Sequence, residues 1–269
     1  MAVIATAPNT AGTLLREWRQ RRRLSQLDVA SRSAVSARHL SFIENGRARP
    51  SREMVLHLAQ RLDVPLRERN RLLLAAGYAP GFSEHALDER DMAPVRAAID
   101  RLLQAHEPYP ALVVDRCWNI VASNRGVDFV VRSVAPELLA PPANAYRIAL
   151  HPDGLAPRIG NFAEWSAHLL SRLRRELDVA PDPELSALYD EVVGYPGVQA
   201  TLDQHSDADR IMLTHTLELD DARLTLFSTV TTFGTARDVT LAELAIESFF
   251  PADAETAAIL ARGVGEPAA

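Results

Sequence analysis

The sequence predicts two domains of different class: an all-α domain of five helices over residues 11–78, a linker over 79–92, and an α+β domain over 93–262 whose mostly antiparallel sheet carries helices. Three observations carry this expectation. Apolar residues recur at helical spacing in the first part of the chain, an alternation of period two takes over in the last third, and the charge changes sign between the two parts. Residues 1–82 hold 14 arginines against 6 acids, a local +8, whereas the remainder holds 15 against 29, a local −14. A basic module joined to an acidic one fits a nucleic-acid binder with a separate second domain, because attraction to phosphates is useful on one surface only.

With 269 residues, 47% of them hydrophobic and 24% charged, the chain has the composition of a soluble globular protein able to bury two cores. No apolar run reaches the roughly 18 residues a membrane helix needs, and the N-terminus lacks a basic segment followed by an apolar one, so a cytoplasmic protein with no membrane partner is expected. The single cysteine, Cys117, excludes an internal disulfide and a multi-cysteine zinc site and is expected as a small buried hydrophobe. No metal ligand set and no cofactor motif stands out.

The elements follow in order. The first ten or so residues lack periodicity and read as a loose tail. From Thr13 a helix presents Leu14, Leu15 and Trp18 as one stripe. Ser25 caps a second helix from Gln26 to about Arg32, with Val29 and Ala30 inward. After a turn at Ser33 to Val35, Ser36 caps a third helix to about Asn45, in which Leu40 and Ile43 face the core with Val35 and Gly46 closes the end. Ser51 opens a fourth helix with Val55, Leu58, Ala59 and Leu62 buried. Pro65 starts a fifth, containing Leu66, Leu72 to Leu74 and Ala75 and closed by Gly77.

Beyond the linker, Val95, Ile99, Leu102, Leu103 and His106 mark a helix over 93–106, stopped by Pro108 and Pro110. Ala111 to Val114 and Trp118 to Ala122 read as strands around a turn at Asp115 and Arg116. A short helix around Val127 to Val134 follows. Asn161 to Glu164 has the pattern of a capping box before a long helix, and Asp182 with Pro183 starts another that ends at Gly194. Ile211 to Leu219 alternates as a half-buried strand, Asp220 and Asp221 turn it into a second strand from Leu224 to Phe233, and Leu241 to Phe250 is assigned to strand over helix. Asp253 caps a final helix.

Two short helices joined by a tight turn and flanked by arginines form a DNA-reading device. The N-terminal residues of the second of these helices enter the major groove, where arginine donates to guanine O6 and N7, so Arg38 is the first choice for base contact, with Ser36, Ala37, His39 and Ser41 beside it. The open N-terminus of the preceding helix suits a phosphate, which nominates Ser25 and Gln26, and Arg16, Arg47 and Arg49 are placed for the DNA backbone. For each arginine a plain solvated role is the competing reading.

The run L-S-Q-x-x-V-A from Leu24, followed by V-S-x-x-x-L-S-x-I-E-N-G-R-x-x-P from Val35, resembles the XRE or lambda-repressor-like helix-turn-helix family. The resemblance covers Leu14 to about Gly77, with Gln26, Ala30, Glu44, Gly46 and Pro50 where the family pattern expects them. One position departs from it: Ala34 stands where glycine is common, at a cost of about 1 kcal/mol if the backbone there is left-handed. Farther on, Glu107 to Asn124, His151 to Leu155, Asn161 to Trp165 and Thr231 to Asp253 resemble the MmyB-type ligand-binding domain found behind XRE domains in actinobacteria and related bacteria. That resemblance implies a PAS-like sheet with helices over it, enclosing a small, largely apolar molecule for which a fatty acid is a family precedent.

Catalysis is not expected, since no P-loop, G-x-S-x-G elbow or H-E-x-x-H motif is present. For a ligand pocket, His215 on an otherwise apolar strand face is read either as a hold on a ligand carboxylate or as a core histidine. Trp118, Trp165 and Phe227 are cavity liners or core fillers, and Arg125 and Arg147 are partners for an anionic head group or for surface acids. The expected function is a sequence-specific transcriptional regulator that binds double-stranded operator DNA as a homodimer and responds to a small ligand; a protein-interaction scaffold is the alternative.

Overall fold

The computed structural model describes residues 10–198, 212–220 and 222–265. The expected N-terminal tail, apart from Thr10, lies outside them, as do Ile211 and Asp221. The chain divides into two compact units: residues up to 85 together with 236–239, and the rest. Among the described residues no helix is long and apolar enough to cross a membrane.

The first unit contains α1 (Ala11–Arg21), α2 (Gln26–Arg32), α3 (Ala37–Glu44), α4 (Arg52–Arg61) and α5 (Leu66–Ala75). Thr10, Ser25, Ser36 and Ser51 each accept a hydrogen bond from a first-turn amide of the helix that follows, which satisfies a donor the helix itself leaves open. Ser25 and Asp28 complete a reciprocal capping box. The helix ends share a device: Arg23, Ala34, Gly46, Asp63 and Gly77 all have positive φ, and after each the next amide bonds back five residues, as in Leu24 N to Arg19 O and Arg47 N to Phe42 O. Ala34, at φ 51, has the left-handed backbone on which its cost is conditional. Leu15, Trp18, Leu40, Ile43, Val55, Leu58, Leu72 and Leu73 fill the core, while Leu27 and Leu74 point to solvent. At Gly12 a Cβ would fall on the carbonyl oxygen of Ile43, so glycine lets α1 cross α3 closely.

Residues 79–85 are held to this unit. The Asn70 side chain accepts from the amides of Gly81 and Phe82 and donates to the Phe82 carbonyl, and His85 pairs with Asp238 at 2.8 Å.

The second unit is built on a five-stranded antiparallel sheet in the order β2-β1-β5-β4-β3: β1 (Ala111–Val114), β2 (Ile120–Ser123), β3 (His215–Glu218), β4 (Arg223–Thr232) and β5 (Ala245–Pro251). Its helices are α6 (Ala93–His106), α7 (Arg125–Val131), α8 (Pro136–Leu139), α9 (Ala145–Leu150), α10 (Phe162–Val179), α11 (Pro183–Val193), the short α12 (Val239–Glu243) before β5, and α13 (Ala254–Gly265). The stretch assigned to one strand from Leu241 is therefore a helical turn and then a strand. Strand β1 is an unbroken apolar run because both its faces are covered. Ala111 and Val113 pack with Ile99 and Leu103 of α6, whereas Leu112 and Val114 face the larger core with Trp165, Leu170 and Leu173 of α10. On α6, Leu102 is exposed, although the predicted stripe included it.

Two local expectations are corrected. Trp118 is not in a strand but in the β1–β2 turn at φ 65, where the Asp115 carboxylate accepts from the amides of Cys117 and Asn119. Asn161 and Glu164 form no reciprocal box, because the Asn161 side chain is used across the sheet: it donates to Thr214 O at 2.8 Å and accepts from Thr216 N at 3.0 Å. It ties the start of α10 to β3.

Candidate functional site

In the first unit, α2 and α3 form the helix-turn-helix. Arg38 and His39 are exposed on the first turn of α3, with the Arg38 guanidinium 5.4 Å from the Phe42 ring centre, and Arg47 is exposed just beyond Gly46. Behind this face stands a buried carboxylate. The Glu44 side chain, 1% exposed, accepts from Arg19 Nε at 2.7 Å, Arg19 Nη2 at 2.9 Å and Gln26 Nε2 at 2.8 Å, with Arg16 3.6 Å away. Burial alone would raise its pKa; the bonds from Arg19 and Gln26 and the charges of Arg19 and Arg16 outweigh that and hold it below the usual carboxylate range. One residue thus joins α1, α2 and α3 and sets the position of Gln26 at the N-terminus of α2.

Several arginines of this unit serve as internal struts. Arg16 donates to the Glu44 carbonyl and to Asn45, Arg22 to the carbonyls of Leu62 and Asp63, Arg49 to Ala76 O while lying over Tyr78, and Arg69 to Val64 O. Each ends on a carbonyl near a helix terminus, where an intrahelical partner is missing.

In the second unit, one face of the sheet and helices α7, α9 and α10 surround a cavity of about 390 Å³, inside the range of small-molecule sites. Leu112, Ile120, Tyr146, Leu169, Leu226 and Phe249 are among its lining, together with Trp118, Trp165 and His215. The Trp118 ring meets Tyr146 edge-on at 5.0 Å, carries the Arg172 guanidinium over it at 4.1 Å, and donates from Nε1 to Glu176. Tyr146 donates its buried hydroxyl to Leu169 O.

Two polar groups reach the apolar part of this lining. Glu247, 5% exposed, accepts from Arg172 Nη1 at 3.1 Å and Ser228 Oγ at 3.0 Å. His215 lies on Trp165 with ring centres 4.1 Å apart and edge-on to Phe249 at 5.5 Å, and its Nδ1 is buried with no hydrogen-bond partner among the described residues. Burial, aided by the nearby His168, pushes the His215 pKa down to about 4, so the ring is neutral at pH 7.

A family model for the MmyB-like transcription regulator ligand binding domain matches residues 95–262, well over half of the chain, and a helix-turn-helix domain model matches residues 10–72. The chain belongs to the MmyB-like transcription regulator family. No curated protein matches it. The pair of modules makes this MmyB-like regulator a DNA-binding transcription regulator.

Of the ten residues nominated for DNA, the structure leaves Arg38, His39 and Arg47 exposed, with Ala37 and Ser41 beside them, and uses Ser25 and Ser36 as helix caps. Arg16, Gln26 and Arg49 carry the internal bonds described above. Of the six nominated for a ligand, Trp118, Trp165 and His215 come together at the cavity. The other three stand elsewhere for simple reasons: Arg125 pairs with Glu107 and Arg147 with Glu191, each at 2.7 Å, and Phe227 stacks on Phe250 at 5.3 Å. Glu247 was not anticipated, although an acid in register with Ala245 and Phe249 on an alternating strand is a legible signal. Cys117, Asp182 and Glu184 bring three potential ligand atoms within 4.8 Å, yet Arg116 pairs with both carboxylates and Asp182 also caps α11. Burial raises the Cys117 thiol pKa and so keeps it protonated.

Proposed function

We propose that this regulator reads a specific operator as a homodimer, through the first turn of α3, and that a small, largely apolar molecule in the cavity of the second unit controls it. The observation that supports the DNA reading best is the exposure of Arg38 and His39 at the start of α3 on a scaffold with its net positive charge in the same unit. Arg38 supplies base readout, Arg47 and the α2 N-terminus hold the backbone, and two-fold symmetry matches half-sites roughly 34 Å apart or a multiple of that. The apolar lining and volume of the cavity favour a ligand of fatty-acid-like size and hydrophobicity. Control follows only if that ligand binds the DNA-competent and incompetent states with different affinity.

The test is duplex binding across a salt series. Affinity that falls steeply and linearly in log–log form is expected. Absence of duplex binding, or binding indifferent to salt, overturns the reading in favour of a protein-interaction scaffold. Native mass spectrometry of the purified chain reports retained ligand and stoichiometry together, and a monomer at micromolar concentration with and without operator argues against the dimer.

A further inference from the structure

Resting on the ligand reading above, we propose that the cavity selects an uncharged apolar molecule with a single hydrogen-bonding group, a hydroxyl or carbonyl held by the imidazole of His215, in preference to a carboxylate. Among the described residues the lining contains no arginine, and the chain has no lysine. The cation closest in chemistry, Arg172, is already engaged by Glu247 at 3.1 Å and Glu176 at 3.5 Å and lies over the Trp118 ring. The charged groups that do line the cavity, Glu247 within and Asp128 at its exposed edge, are both acids. An anionic head group brought here would lose water, find no free positive charge among the described lining residues and face two carboxylates of like sign; that is a poor exchange in a buried site.

A neutral polar group meets the opposite situation. His215 is 6% exposed, lines the cavity and has an Nδ1 with no partner among the described residues, so the buried ring has hydrogen-bonding capacity to spare. Buried polar atoms are usually satisfied, and one that is not marks a place where a ligand can supply the missing bond. Because neutral imidazole both donates and accepts, it takes either a hydroxyl or a carbonyl. The flat surfaces of Trp165 and Phe249 fix the ring and leave the rest of the ligand against Leu112, Ile120 and Leu169.

The experiment titrates the full delipidated chain with 1-decanol, decanoate and decylammonium at submicellar concentrations, read by calorimetry and by Trp fluorescence. Decanol is expected to bind at least about tenfold more tightly than decanoate, and His215→Phe, which keeps a flat ring between Trp165 and Phe249, to weaken decanol about tenfold while leaving decanoate unchanged. His215→Gln, which restores a neutral hydrogen-bonding group, is expected to recover part of the loss. Equal or tighter binding of decanoate overturns the proposal, as does unchanged decanol binding by His215→Phe; tightest binding of decylammonium transfers the anchor to the acids and overturns it too. If none of the three binds, the ligand reading itself has failed. Should His215→Phe not fold, the ranking of the three probes on the native chain still decides.

Discussion

Each unit buries a polar side chain among apolar neighbours, and the two are treated in opposite ways. Glu44 in the helical unit is surrounded by donors from two other helices, with its charge matched. His215 in the sheet unit packs against two aromatic rings and has a nitrogen with no partner among the described residues. A fully satisfied buried group fixes a geometry, which is what a DNA-reading surface requires of the elements behind it. An unsatisfied one is tolerable only when it is neutral, and it leaves a valence available inside a cavity. The same physical rule therefore separates scaffold from binding site.

The largest expected effect tests the scaffold side. Glu44→Ala removes the shared acceptor of Arg19 and Gln26 and leaves a half-buried arginine without its partner, so the helical unit should lose about 3–5 kcal/mol. Urea unfolding, with hydrogen exchange at α1 to α3, measures this; a loss below about 1 kcal/mol would show that the hub holds nothing together.

Acid titration sharpens the comparison further. His215 has a folded pKa near 4 against about 6.5 unfolded, so between those values the unfolded chain binds a proton that the folded one refuses. Stability should then fall as pH drops from 6.5 to 4, by up to about 3 kcal/mol, and His215→Phe should flatten that slope. Glu44 has a lowered pKa, so its contribution persists above the unfolded carboxylate value and is lost only as pH falls through the lower folded one. The sheet unit should loosen first on acidification. Loss of α1 to α3 protection before the sheet amides would contradict the assignment of both groups.

A smaller effect is expected on the reading surface. Arg38→Ala should weaken operator binding by about 1–3 kcal/mol and relax preference at one base pair with little change in stability, since the exposed guanidinium lies over the Phe42 ring. Equal loss on operator and random duplex would reassign Arg38 to the backbone. Smallest of all, Ala34→Gly should stabilise the helical unit by up to about 1 kcal/mol, because the left-handed backbone at φ 51 favours glycine; a shift in Tm of opposite sign would mean that unfolded-state entropy wins.

Much of the fold was legible because the signals are local. Capping serines, the stripe of Leu14, Leu15 and Trp18, and the unbroken ALVV of β1 each act over a few residues. What escaped was set by side-chain partners, near or distant in sequence, that a periodic pattern does not encode. Asn161 carries the pattern of a helix cap but is recruited by β3, some fifty residues on. Trp118 belongs by β-propensity to a strand, and the Asp115 side chain overrides that by holding a turn. At the cavity, His215 was placed by alternation on a strand and Trp165 by a stripe position on a helix, whereas Arg125 and Arg147 were nominated from charge alone. Charge carries no address, and both lie in ion pairs with acids outside the cavity lining.

The arginine struts change how a mutational survey of this protein has to be interpreted. Arg19, Arg22 and Arg69 carry charge in the basic unit, yet they hold Glu44, the end of α4 and the carbonyl of Val64. Alanine at these positions will lower apparent DNA affinity by shrinking the folded fraction, not by removing phosphate contacts. The two origins have different fingerprints: a lost phosphate contact reduces the slope of log affinity against log salt by about one, while a lost strut leaves that slope intact and shifts the whole line. The salt slope, measured variant by variant, thus maps where this unit's positive charge faces outward.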